Sequence, residues 1–179
     1  MTHSILVATD GSETGARAID CAVELAASLG APLLIIHVST NERPSEGLRQ
    51  YAETEHLVDP GPLPPPSSAD PHEALPLDYW EGLAPDEAES GARDWLSVAV
   101  GEDIVRRAVD CARAGGVSDV RSEVLEGEPA GAIIDHALSR GADMIVLGSR
   151  GLGALRGVLQ GSVSRKVVHH APCTVVVVR

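Results

Sequence analysis

The sequence has no phenylalanine and only two tryptophans and two tyrosines. A core built on aromatic packing is therefore excluded, and the interior must be made of Ala, Val, Ile and Leu. Lysine is almost missing too: Lys166 stands alone, and the arginines are scattered. With a net charge of -12, the chain would repel a phosphodiester backbone, which argues against nucleic acid as a partner. Apolar runs of about 18 residues are absent, so no membrane-spanning helix is expected. The first apolar run, Ile5 to Ala8, is strand-sized and follows no basic n-region, so no signal peptide is read and the cytoplasm is the expected compartment. Three cysteines (Cys21, Cys111, Cys173) are far apart and odd in number. They offer no disulfide framework and no metal-ligand spacing, and each is expected to be a small buried hydrophobe.

What is present is unevenly spread. Residues 41–98 hold all four aromatics (Tyr51, Tyr79, Trp80, Trp95), nine of the twelve prolines, and 13 acids against 3 bases. The other 121 residues carry 13 acids and 11 bases. The 179 residues thus read as a single domain, a nearly neutral aliphatic body with an acidic, Pro-rich insertion at about 41–98. Pro60-Gly61-Pro62 and Pro64-Pro65-Pro66 favour extended, solvated backbone. Pro85–Val98 has the makings of a helix, with Trp95, Leu96 and Val98 docking on the body. The plain reading, preferred for 41–76, is a disordered loop; the sharper one is a partner-binding arm with Tyr79-Trp80 and Trp95 as anchors.

In the body, apolar runs alternate with amphipathic stretches. Ser4–Thr9 is a buried strand that ends at Asp10-Gly11-Ser12. Ser12 suits an N-cap and Glu13 the first turn of a helix. That helix runs to about Leu29, with Ile19, Ala22, Val23, Ala26 and Leu29 on one face. Leu33–Val38 is a second strand, which completes a βαβ unit with parallel strands. After the insertion come a helix over Glu102–Ala114 (Ile104, Val105, Ala108 and Cys111 inward), a strand at Val120–Leu125 with one wetter face or near an edge, and a helix opened by Pro129 with Ile133, Ile134, Ala137 and Leu138 inward. A strand at Met144–Leu147, a helix from about Ser162 to His170 and a strand at Thr174–Val178 finish the pattern. Five strands alternating with four helices specify an α/β fold, a doubly wound five-stranded parallel sheet with helices on both faces.

In such sheets ligands bind beyond the carboxyl ends of the strands, where strand order switches. Asp10 ends the first strand. Gly148-Ser149-Arg150-Gly151 follows the fourth, and after nine more residues comes Gly161-Ser162-Val163-Ser164. Gly148 and Gly151 lack Cβ atoms, so backbone N–H groups can approach an anion. Gly161-Ser162 opens a helix, whose free N–H groups and dipole favour negative charge. Ser162 and Ser164 add hydroxyls, Arg150 a cation, and Asp10 an acceptor for ribose hydroxyls. The plainer alternative is that these glycines only make turns and Ser162 only caps a helix.

The spacing Gly148-x2-Gly151-x9-Gly161-Ser162 resembles the signature of the ATP-binding branch of the universal stress protein family. Ile5–Glu13 (ILVATDGSE), Ile35–Ser39 (IIHVS), Gly127–Ala137 (GEPAGAIIDHA) and Ala171–Arg179 (APCTVVVVR) are similar to other segments of that family in the same order. The resemblance covers residues 4–40 and 100–179. It implies the adenine nucleotide alpha hydrolase-like strand order 3-2-1-4-5. It also implies adenine held by backbone near Val38, with Ala8, Thr9 and Leu147 lining the pocket. Asp10 and Gly148 would meet the ribose, and Gly151, Gly161, Ser162, Val163 and Ser164 would cradle the phosphates beside Arg150. The implied cofactor is ATP, with magnesium or manganese on the phosphates but no evident protein ligand for the ion. A homodimer through the last strand is implied as well, which agrees with the exposure expected of a short apolar edge strand.

Rival motifs fit less well. Gly157 to Ser162 lacks the spacing and the lysine of a P-loop. The first turn lacks GxGxxG, and no GxSxG elbow occurs. His37 reads as a satisfied core or rim residue, and His169-His170 as a favourable charge at a helix C-terminus. No catalytic residue is evident, so at most slow ATP hydrolysis is expected of a nucleotide-loaded regulatory protein in stress response. The alternative is an interaction module that works through the acidic insertion without need for nucleotide.

Overall fold

A computed structural model describes residues 4–40, 85–151 and 161–179, with side chains in the stretch after the insertion described from Val98 onward. The extended backbone read into the Pro-rich stretch, the docking of Trp95 and Leu96, and the anchor residues Tyr79, Trp80 and Trp95 lie outside the described residues or side chains.

Strand β1 (Ile5–Ala8) leads into helix α1 (Glu13–Leu29), then β2 (Leu33–Ser39). Helix α2 (Pro85–Ala114), strand β3 (Val120–Glu126) and helix α3 (Pro129–Arg140) follow. Strand β4 (Met144–Gly148), helix α4 (Ser162–His170) and strand β5 (Thr174–Val178) complete the order. All strand pairs are parallel, and the sheet order is β3-β2-β1-β4-β5. The expected five-stranded, doubly wound α/β sheet is what the chain forms.

Side chains alternate between the faces of each strand. Ile5, Val7, Leu33 and Ile35 pack under α1 and α2, with Ala18, Ala22, Ala26, Val105, Ala108 and Ala112. Leu6, Ala8, Ile36, Ile145 and Leu147 pack under α3 and α4, with Ala130, Ile133, Ala137 and Val167. Small alanines let the helices lie close to branched strand residues, so the core closes without a single phenylalanine. Strand β3 sits at an edge, as expected, and none of its residues is fully buried.

Local signals account for the helix ends. Ser12 caps α1 by accepting from Gly15 N–H. Gly30 ends α1 at a φ of 61°, in the left-handed region that glycine enters freely. Pro129 opens α3, and the Glu128 carboxylate caps it through Gly131 N–H. That bond and the neighbouring Lys166 ammonium hold the Glu128 carboxyl below its usual range.

Three expectations need correction. The helix expected over Glu102–Ala114 is one continuous element from Pro85, because Gly101 is used for close packing and does not break it. Leu29 is 49% exposed and Leu138 66% exposed. Leu29 lies in a last turn beyond the buried stripe that ends at Ala26, and Leu138 is about 100° around α3 from the buried Ala137. Cys111 is exposed and Cys21 and Cys173 are only partly buried. The inward position on α2 belongs to Ala112, while the Cys111 thiol is turned to Asp20, 3.6 Å away.

Candidate functional site

The strand order reverses between β1 and β4: the chain moves to β2 on one side of β1 and later to β4 on the other. A crevice is expected there, at the carboxyl ends of the two strands. Ala8 and Leu147, register partners at the ends of β1 and β4, are buried.

Beyond Ala8 the chain turns sharply. Thr9 N–H donates to Ile36 C=O at 3.0 Å, the last bond of the β1–β2 ladder. Gly11 follows at a φ of 79°, which a side chain would resist. The turn is tied by Asp10 Oδ1, which accepts from Ser12 N–H at 3.1 Å. Its other oxygen, Oδ2, looks across to the turn after β4: a Cβ built on Gly151 would lie 2.4 Å from it. A side chain at position 151 would have to displace the Asp10 carboxylate. Gly148 is similarly confined, with Thr14 backbone and hydroxyl atoms 2.9 Å from its would-be Cβ.

The Gly-rich turn is fastened at both ends. Thr14 Oγ1 donates to Arg150 C=O at 2.6 Å, which ties the turn to the start of α1. Ser149 N–H donates to Val178 C=O, and the Ser149 carbonyl accepts from Gly161 N–H at 2.6 Å. The two glycine ends of the signature, Gly151 and Gly161, are therefore brought to one place although nine residues separate them in sequence. Gly161 is the N-cap of α4 and, having no side chain, offers it no cap bond. At the start of α4, Ser162 is exposed and Val163 partly buried.

Ser164 differs from its expected use. It is 3% exposed, and its hydroxyl lies 3.0 Å from Ser149 O and 3.1 Å from Gly161 O. Its single proton is used within the loop. Arg150 and Ser162 are exposed. Val38 is half-buried on β2. Ile36 C=O faces β1, and strand alternation turns the backbone groups of Val38, two residues on, to the same side.

Sequence reasoning missed Thr14 and Ser149, whose contributions are a hydroxyl and a carbonyl bond across more than a hundred residues or across the loop. It read His37 as a satisfied residue, and the ring is indeed buried, with Nδ1 3.0 Å from Thr9 O. Burial pushes the imidazole pKa down, against smaller upward effects of the Thr9 bond and the Asp10 charge. Among the described residues, no three His, Cys, Asp or Glu side chains converge on a metal position, and no helix is long and apolar enough to cross a membrane.

Comparison with known proteins identifies the family and the fold. The profile of the universal stress protein family matches residues 1–60 and 56–179. The universal stress protein YxiE of Bacillus subtilis (strain 168) is 31% identical over 179 residues, covering 100% of both chains. Universal stress protein UspA from Lactobacillus plantarum superposes with a TM-score of 0.65 at 23% identity, covering 99% of this chain and 97% of that one. A universal stress protein solved in complex with cAMP superposes with a TM-score of 0.58 at 26% identity, again over 99% and 97% of the two chains. The chain belongs to the universal stress protein family.

Proposed function

We propose that this chain binds an adenine nucleotide, ATP, at the crevice between β1 and β4 and acts as a nucleotide-loaded regulatory protein of the cytoplasm. One observation carries the reading. Asp10, the Gly148–Gly151 turn and the N-terminus of α4 meet at the strand-order switch, with a carboxylate on one side and the positive end of a helix on the other. That is a ribose partner facing an anion site. The relative solved with cAMP supports the same chemistry.

In this reading Ala8, Thr9 and Leu147 line the base pocket, and Val38 offers backbone groups to adenine. Asp10 and Gly148 take the ribose. Gly151, Gly161, Ser162, Val163 and Ser164 hold the phosphates, with Arg150 close by. A magnesium or manganese ion would be carried by phosphate oxygens and water, since the described residues supply no cluster of ligands. Among the described residues we identify none poised to activate a nucleophile, which phosphoryl transfer needs, so hydrolysis at most slow is expected. We read the chain as one domain, with residues 41–98 as an insertion available to a protein partner and β5 as the homodimer strand.

The test is direct. Purified protein is denatured, the supernatant is assayed for adenine nucleotide, and ATP binding of the refolded or ligand-free protein is titrated beside Asp10→Ala. Bound or added ATP should be held by the wild type and lost, by tenfold or more, in the variant. A wild type that neither carries nor binds ATP rejects the proposal.

A further inference from the structure

The parallel ladder between β1 and β2 stops one bond short of what its geometry offers. Its last bond is Thr9 N–H to Ile36 C=O. Continuing the pattern, Thr9 C=O would next accept from Val38 N–H. Among the described residues that carbonyl is instead paired with the His37 ring, at 3.0 Å from Nδ1. A carbonyl oxygen only accepts, so Nδ1 carries the proton.

The ring is not free to do otherwise. His37 is 5% exposed and lies against α2 at Gly101. A Cβ on Gly101 would sit 2.8 Å from His37 Cδ2 and 3.2 Å from Val124 Cγ1. The glycine is a seat for the imidazole within a helix, where its loss of rigidity costs up to about 1 kcal/mol relative to alanine. The peptide joining Thr9 to Asp10 is one rigid plane. Holding its carbonyl fixes the entry to the turn in which Asp10 Oδ1 bonds Ser12 N–H and Asp10 Oδ2 faces Gly151.

We infer that His37 is a positioning residue for base recognition: by drawing the Thr9 carbonyl to its ring on the α2 face of the sheet, it holds that oxygen out of line with Val38 N–H and leaves the Val38 backbone pair to a planar donor–acceptor edge such as that of adenine. The inference rests on the nucleotide site proposed above and assigns the base selectivity of that site to a side chain that does not touch the ligand. It also makes α2 a lever on the pocket, since Gly101 of that helix sets where the ring can lie.

The experiment measures affinities for ATP, UTP and inorganic tripolyphosphate by calorimetry, with circular dichroism to check the fold. His37→Leu removes the donor at similar bulk. It should lower ATP affinity roughly tenfold and erase the preference of ATP over UTP, while tripolyphosphate binding stays as in the wild type. His37→Asn, whose amide can still donate to Thr9 C=O, should restore the preference. Gly101→Ala reaches the same bond from α2 and should shift the preference in the direction of His37→Leu. The inference is overturned if folded His37→Leu or Gly101→Ala keeps the wild-type preference, or if His37→Asn is as unselective as His37→Leu. Asp10→Ala separates the two claims. Loss of ATP in Asp10→Ala with an unchanged His37→Leu rejects the role of His37 and leaves the site intact, whereas a wild type that binds no ATP rejects both.

Discussion

Single atoms decide much of the crevice. A methyl group at position 151 would lie 2.4 Å from Asp10 Oδ2, a separation no real pair sustains, so either the carboxylate or the Gly-rich turn must move. Gly151→Ala should therefore weaken ATP binding by roughly tenfold or more, while the thermal midpoint shifts little because Gly151 is exposed. Titration with a fluorescent ATP analogue checks this, and wild-type affinity in a folded Gly151→Ala protein would show that Asp10 and Gly151 do not share the ligand. His37 yields a second prediction, of stability against pH. Its folded pKa is depressed below the ordinary 6.5, first by burial. The unfolded chain thus takes up the proton earlier than the folded one. The stability due to the neutral buried ring is fully present above pH 6.5 and is lost as pH falls from there through the folded pKa. Glu128, also depressed, acts only below its ordinary 4.5, so it adds little to a change seen between pH 7 and about 5. Urea denaturation between pH 7 and about 5 should show a decline that His37→Asn flattens; an equal decline in both proteins would assign it to other groups.

At the scale of elements, the crevice depends on a helix start holding a distant turn. Thr14 in the first turn of α1 donates to Arg150 C=O after β4. Thr14→Val keeps the shape and drops that bond, and should cost about 1 kcal/mol. The same change should loosen the turn and lower ATP affinity severalfold. Urea midpoints and nucleotide titration measured together decide it: lost stability with unchanged affinity would make Thr14 a support of the fold alone. The elements themselves were legible because their signals are local. Ser12 and Pro129 start helices, Gly30 and the Gly115-Gly116 pair stop them, and periods of 2 and 3.6 separate strands from helices. Strand order was legible through the family resemblance. Candidate residues on the two Gly-rich ends and at Asp10 were legible because glycine spacing constrains backbone directly. Thr14, Ser149 and the bond from His37 to Thr9 were not, since a hydroxyl, a carbonyl and a core imidazole have no sequence pattern that names their partners. The exposure of Leu29 and Leu138 was misread for a related reason: helical phase locates a stripe but not where the sheet beneath it ends.

At the scale of the whole molecule, β5 is the strand that offers itself for pairing. This strand lies at the sheet edge, and its four valines are partly exposed, so a row of backbone groups faces outward beside apolar side chains. Which residues supply that row follows from the bonds on the other side. Thr174 N–H donates to Asp143 C=O, and Val178 C=O accepts from Ser149 N–H. Alternation along the strand then turns Val176 toward β4 and turns Val175 and Val177 outward. A proline at Val176 would break the ladder inside the protomer, so loss of a dimer in that variant would be ambiguous. Val177→Pro removes an outward N–H and places ring carbons where a partner strand would lie, with the β4–β5 bonds kept. If two chains pair through β5, Val177→Pro should turn a dimer of the wild type into a monomer by light scattering, with the circular dichroism spectrum unchanged. A Val177→Pro protein that keeps the wild-type dimer mass would place the interface elsewhere. Because Ser149 N–H is bonded to Val178 C=O, strand pairing at β5 also bears on the Gly-rich turn. Nucleotide affinity and dimerisation should therefore weaken together in this variant, with the larger change in the dimer.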